Sequence, residues 1–188
     1  TDGPYLRHTM TPVAELLRDS VVVWDVEEGS KLYAEGFYGK PLGVPKPREL
    51  KLDAPLVLDL VEALYLMRLG RLRVMWEGRE MSEEEFMRHA ETLDENFRDK
   101  YRVYKDLRER GFVVLPGIKF GCDFAAYRHG PGLDHAPFII QVKGVKGRIS
   151  ALEIIRSGRL ATSVRKHFTI SVPQNESNVY VMFEWWRA

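Results

Sequence analysis

Between Ser82 and Gly111, apolar side chains return every three or four residues: Phe86, Ala90, Leu93, Phe97, Tyr101, Tyr104 and Leu107. The positions between them are densely charged, and the bland reading of those charges is a solvated face. This period predicts one long amphipathic helix. Ser82 with Glu85 forms a capping box at its start, and Gly111 ends it. A domain boundary is expected within or near this helix, making it the bridge from an N-terminal domain to a C-terminal one. We therefore expect an α+β protein of two domains, residues 1–95 and 96–188, bridged by this helix.

Strand-like runs flank it on both sides. SVVVWDV (20–26) reads as a first strand, with Glu27, Glu28 and Gly29 as its turn. KLYAEGFYG (31–39) fits a strand or a short helix. KPLGVPKPREL is a loop, with three prolines and a glycine in eleven residues. Asp53 is expected to cap a helix with Pro55 in its first turn, along which Leu56, Leu60, Leu64 and Met67 recur until Gly70. RVMWEG is a short strand with a turn. Beyond Gly111, FVVLP, KFGCDFAAY and PFIIQVKG read as strands. Ser150 and Glu153 form a second capping box, opening a helix to about Val164. HFTISV and VYVMFEWW then close a hairpin around PQNESN.

Composition excludes several classes. Hydrophobic residues make up 45% and charged residues 29%, the balance of an ordinary soluble domain. No apolar run approaches the length of a membrane span, and TDGPYLRHTM carries no apolar signal core, so the expectation is a cytoplasmic protein. Cys122 is the only cysteine, which rules out an internal disulfide and a cysteine metal cluster. It is expected to be a buried, inert thiol in a strand. The net charge is only +1, yet the charges are uneven. Lys40, Lys46, Arg48 and Lys51 face one nearby acid, Glu49. Lys146, Arg148, Arg156, Arg159, Arg165 and Lys166 face one, Glu153. Local basic patches of this kind, rather than net charge, govern attraction to a polyanion.

Three polar residues stand out in the second half. Tyr127 ends CDFAAY, His135 closes the loop RHGPGLDH before APFIIQV, and Lys166 ends SVRK before HFTISV. The chain shows no Ser/His/Asp order, no metal-ligand spacing and no phosphate-binding glycine loop. A phenol, an imidazole and an ammonium can together move protons and stabilise an anion without a metal. Such chemistry suits RNA, whose 2′-OH is a built-in nucleophile. Each residue alone has a plainer reading: a packing tyrosine, a surface histidine, a lysine at a helix C-terminus.

The stretches VYKDLRERGFVVLPGIKFGCDFAAY, HAPFIIQV and GRLATSVRK, in that order, resemble the catalytic domain of the archaeal tRNA-intron (splicing) endonucleases. LYAEGFYGKPLG and LVEALYLMRLGRL resemble that family's smaller N-terminal domain. The resemblance implies a small N-terminal α/β domain and a C-terminal mixed-sheet, nuclease-like catalytic domain. It implies that Tyr127 takes the proton of the 2′-OH and that His135 protonates the departing 5′-oxygen. Lys166 would stabilise the charge gathered at phosphorus. The products would be a 2′,3′-cyclic phosphate and a 5′-hydroxyl, made without a cofactor or metal from precursor tRNA carrying a bulge-helix-bulge. His129 is a competitor for the acid role, but His135 abuts the apolar strand as the family's histidine does. A free tyrosine titrates near 10, so a tyrosine base calls for a depressed pKa or a helper, with Lys166, Arg165 and His167 as the candidates in sequence. The Gly/Pro-rich loop between Tyr127 and His135 is expected to be mobile.

The resemblance also marks Arg159 and Trp185 as the pair that stacks on a flipped base, with Trp186 and Arg187 as alternatives to Trp185. The loop from Lys40 to Arg48 departs from the family pattern, and Lys40, Lys46 and Arg48 are candidates for the RNA backbone. PQNESN holds a single acid, Glu176, where the family's inter-subunit loop carries more. That points to a hetero-oligomer of two catalytic and two structural chains, with a homotetramer as the alternative. The rival readings are a non-catalytic structural subunit, an RNA-binding module, and a metal-dependent nuclease for which Asp123 and Asp134 are the available carboxylates.

Overall fold

A computed structural model describes residues 10–44, 47, 49–175 and 177–186. The first half holds β1 (Val13–Leu16), β2 (Ser20–Val23), α1 (Val26–Gly36), β3 (Lys40–Pro41), β4 (Leu56–Asp59), α2 (Leu60–Arg68), β5 (Arg73–Trp76), β6 (Arg79–Glu80) and α3 (Glu83–Leu93). Its six strands form one sheet in the order β3-β4-β2-β1-β5-β6. The second half holds α4 (Phe97–Glu109), β7 (Val113–Pro116), β8 (Phe124–Tyr127), β9 (Phe138–Val142), α5 (Ala151–Ser163), β10 (His167–Pro173) and β11 (Asn178–Phe183). Its five strands run in the order β11-β10-β9-β8-β7. Both sheets are mixed, so the α+β, two-domain expectation holds.

Local chemistry sets several boundaries differently from the sequence reading. Glu27 to Gly29 are not a turn but the first turn of α1. The Asp25 side chain accepts the Glu28 N–H at 3.0 Å, and two glutamates meet the positive helix end. This also makes residues 31–36 helical. Leu56 to Asp59 are a strand rather than helix. Leu56 and Leu58 alternate into the core while the segment pairs with both β2 and β3. The cap of α2 is therefore Asp59, not Asp53, and Glu62 completes its capping box. The segment KFGCDFAAY becomes a strand only at Phe124. Ile118 to Phe120 form a 3-10 turn, closed by Gly121 at φ 67°. Cys122 follows that turn, buried as expected but outside any strand.

The long helix is two helices. α3 stops at Leu93, the Asp94 carboxylate accepts the Asn96 N–H at 2.9 Å, and α4 starts at Phe97. The kink lets one continuous apolar stripe serve two cores. Phe86, Ala90, Phe97 and Tyr101 pack in the first, and Tyr104 and Leu107 in the second. Leu93, on the expected stripe, is exposed at the break.

The second sheet is covered on both faces, and strand alternation divides its side chains between them. Phe124, Ala126, Ile140 and Val142 turn to α4. Ile139, Phe168 and Ile170 turn to α5. α5 buries only Ala161 among its thirteen residues, and β11 at the sheet edge is largely exposed. Among the described residues, no helix is long and apolar enough to cross a membrane.

Candidate active site

Three strand ends meet at one end of the second sheet. β8 and β9 are antiparallel, with Ala126 opposite Phe138, so the end of β8 at Tyr127 lies beside the approach to β9, where His135 sits. β10 is parallel to β9, with His167 opposite Phe138. Lys166, one residue earlier, therefore arrives at the same place. The topology gathers three residues spread over forty positions of sequence, and two hydrogen bonds tie the start of β10 to the segment just after His135. The Lys166 ammonium donates to the Ala136 carbonyl at 2.8 Å, one residue from His135. The His167 N–H donates to the Pro137 carbonyl at 2.8 Å.

Lys166 is set by the end of α5. Arg165 adopts a left-handed φ of 56°, the Lys166 N–H returns to the Ala161 carbonyl at 2.8 Å, and the Arg165 N–H returns to Thr162 at 3.1 Å. This pair of bonds is a Schellman closure. It turns the chain from helix to strand within two residues, with the Lys166 side chain at the corner. Partial burial lowers the Lys166 pKa, the Lys119 ammonium lowers it further, and the Asp134 carboxylate works the other way. Lys166 and Lys119 both lie near the Phe120 ring, at 5.3 and 4.8 Å from its centre.

Tyr127 is half-buried, and burial raises its pKa; the Asp134 carboxylate raises it again. The environment thus opposes the depression that a tyrosine base calls for. His135 is exposed, as is His129. The loop that joins them, expected to be mobile, is crossed by five internal hydrogen bonds. The Asp134 carboxylate accepts the N–H groups of Arg128, His129 and Gly130 at 3.0, 3.2 and 2.8 Å. The Gly130 carbonyl accepts those of Leu133 and Asp134, each at 3.1 Å. Nothing in the spacing of RHGPGLDH points to Asp134 as its organiser; an Asx-type signal four to six residues after its targets is too common to stand out.

Arg159 is exposed on α5, and Trp185 lies against the same helix. The Trp185 indole donates to the Thr162 hydroxyl at 2.9 Å and packs over Gly158, where a β-carbon would sit 3.3 Å from the ring. Trp186 projects outward, 88% exposed. Lys40 is exposed in β3. Lys46, Arg48, Glu176 and Arg187 lie outside the described residues. Among the described residues, no group of three metal-ligating side chains converges. Asp123 is committed elsewhere, accepting the Val142 N–H at 2.7 Å and pairing with Lys100 at 3.3 Å.

Comparison with known proteins places these features. The family model described as the catalytic C-terminal domain of tRNA intron endonuclease matches residues 97–181. The model for the N-terminal domain of the same family matches residues 13–87. A protein named tRNA-splicing endonuclease from Hyperthermus butylicus is 48% identical over 175 residues, covering 92% of this chain and 97% of that one. One from Pyrobaculum aerophilum is 44% identical over 174 residues, covering 89% and 95%. One from Sulfurisphaera tokodaii is 36% identical over 176 residues, covering 92% and 98%.

Proposed function

This chain belongs to the tRNA intron endonuclease family, in both its N-terminal and its catalytic domain, and on that premise we propose that it is a catalytic subunit cutting precursor tRNA at bulged exon–intron junctions by metal-independent transesterification. The observation that carries this reading is the meeting of Tyr127, His135 and Lys166 at one end of the second sheet. The 2′-oxygen attacks the adjacent phosphorus as Tyr127 takes its proton. The bond from phosphorus to the 5′-oxygen breaks as His135 supplies a proton to the leaving oxygen. Lys166 balances the charge that builds on the non-bridging oxygens. A 2′,3′-cyclic phosphate and a 5′-hydroxyl remain.

Arg159 on α5 and Trp185, which packs against that helix at Gly158 and Thr162, would hold an unstacked base between a guanidinium and an indole, each such stack contributing about 1–3 kcal/mol. Lys40, with Lys46 and Arg48 after it in the sequence, would follow the phosphate backbone. The boundary between domains is proposed at residues 95/96. The exposed apolar side chains Val181, Met182 and Trp186 along and beyond the edge strand β11 favour assembly through that edge. We propose a heterotetramer with a structural subunit, to be distinguished from a homotetramer by light scattering of this chain alone and with its partner.

The test is cleavage of a bulge-helix-bulge precursor in EDTA. His135→Ala and Lys166→Ala should each lose at least about 100-fold in rate, and the wild-type product should carry a cyclic phosphate. Cleavage that stops in EDTA, or survives both substitutions, would sink the reading. RNA binding without cleavage, under all conditions and with a partner present, would favour the structural-subunit alternative.

A further inference from the structure

The loop from Arg128 to Asp134 makes most of its internal hydrogen bonds to a single side chain. Its five internal hydrogen bonds converge on two acceptors, the Asp134 carboxylate and the Gly130 carbonyl. Three of the five end on the carboxylate. An ionised carboxylate with several N–H donors is a strong acceptor, because each bond is charge-assisted. The loop is also seated from outside. Gly130 is buried, its φ is 138°, and a β-carbon there would come within 2.6 Å of the Phe37 ring. Phe37 follows α1, three residues before the basic loop begins at Lys40, and its ring packs edge-on against Tyr33 in the first core. The loop is thus clamped from within by Asp134 and floored by the N-terminal domain. Its two ends are Tyr127 and His135.

We propose that Asp134 is a positioning residue of the cleavage site, folding residues 128–134 into one conformation on Phe37 so that His135 is held at the sheet end beside Tyr127 and Lys166. It touches neither substrate nor the reacting atoms in this role. Its charge is a secondary matter: the carboxylate raises the pKa of Tyr127 and that of Lys166 alike, so it keeps the ammonium protonated while making the phenol a scarcer base. Geometry, not charge, is what the loop gains from it. The proposal rests on the reading of Tyr127, His135 and Lys166 given above.

Two readouts separate it from that reading. The first needs no RNA: amide exchange at Arg128, His129 and Gly130, followed in wild type, Asp134→Asn and Asp134→Ala. Asparagine keeps one acceptor oxygen but turns an N–H donor toward the loop amides, so protection should fall in the order wild type, Asn, Ala, by about tenfold or more at the last. The second is single-turnover cleavage at saturating enzyme, with the partner present. The rate should fall about 10- to 100-fold in Asp134→Ala while RNA affinity stays within about twofold, as expected for lost orientation rather than lost binding. Thermal unfolding of each variant checks that the fold survives. Unchanged amide protection in Asp134→Ala overturns the clamp, and loosened amides with an unchanged rate overturn its positioning role. Full cleavage by His135→Ala would instead overturn the catalytic reading, whatever the amides show.

Discussion

A phenol in water gives up its proton near pH 10, and at Tyr127 burial and then the Asp134 carboxylate push that point higher. At neutral pH the phenolate fraction is below about one in a thousand. The base is therefore strong but scarce, and its scarcity is measurable once the acid is removed. In His135→Ala the residual cleavage rate should climb about tenfold per pH unit from pH 7 to 9, because only the base still titrates. Adding Tyr127→Phe should flatten that slope. A flat profile in the single variant would take Tyr127 out of the base role. The rise should bend over earlier than an ordinary lysine would cause, since burial and then Lys119 lower the Lys166 pKa, and a neutral amine no longer balances the phosphorane charge. Cys122 gives an independent check on local burial. Its thiol is pushed up to about 11 by burial and then by the charge of neighbouring Asp123. A disulfide reagent at pH 8 should react with the native protein at least about 100-fold more slowly than with the unfolded chain.

α5 shows how an element with little core of its own is held. Only Ala161 of its side chains is buried, so its ends carry much of its definition. Ser150 accepts the Glu153 N–H at 3.1 Å and Glu153 accepts the Ser150 N–H at 2.8 Å. Ser150→Ala should cost about 1 kcal/mol, read as a lower midpoint in thermal unfolding. At the other end Arg165→Gly should stabilise by about 0.5–1 kcal/mol, because the left-handed φ then carries no β-carbon strain. The capping boxes of Ser82 with Glu85 and of Ser150 with Glu153 were legible in the sequence because their logic is local, three residues apart with a fixed chemistry. The break at residues 94–96 was not, because Phe97 and Tyr101 continue the same period and nothing local records that the stripe changes cores. β4 was hidden for a related reason: Leu56 and Leu60 satisfy a helical period, while Leu56 and Leu58 satisfy a strand. The order Tyr127, His135, Lys166 could be read along the chain. Their meeting could not, since it follows from parallel pairing of β9 with β10. Nor could the upward shift at Tyr127, which comes first from burial at the end of β8 and then from Asp134 folding back over its own loop.

Beside the packing of Tyr65 on Tyr104 and of Phe97 and Tyr101 in the first core, one guanidinium ties the two halves of the molecule by hydrogen bonds. Arg108 leaves α4 in the second core, and its Nη1 donates to the Gly36 carbonyl at the end of α1 at 2.8 Å. Its Nη2 donates to the Val114 carbonyl at 3.2 Å and its Nε to the Tyr104 hydroxyl at 3.0 Å. The group also lies 4.3 Å over the Tyr38 ring. Next to Tyr38, the Gly39 N–H donates to buried Glu62 at 2.7 Å. Burial, and then Asp59, raise that carboxyl to about 7, against the lowering by the Gly39 and Asp59 N–H groups and, less, by Arg108. A raised carboxylate pKa means that the folded state holds a proton the unfolded chain has released. This group therefore lowers stability as pH rises from about 4.5 toward 7. Removing the nearby guanidinium should widen that window, because Glu62 loses a cation that favours its ionised form. Arg108→Ala should thus cost about 2–4 kcal/mol in chemical denaturation, through carbonyls left without a donor and an uncovered ring. The loss should be larger at pH 7.5 than at pH 5. Arg108→Lys should recover less than half of it, since a single ammonium cannot reach three acceptors and cover a ring at once. A loss that is equal at both pH values would show that Arg108 joins the halves by contact alone, with no electrical link to Glu62. A loss under about 0.5 kcal/mol, the usual scale of surface substitutions, would mean that packing elsewhere holds the two sheets together.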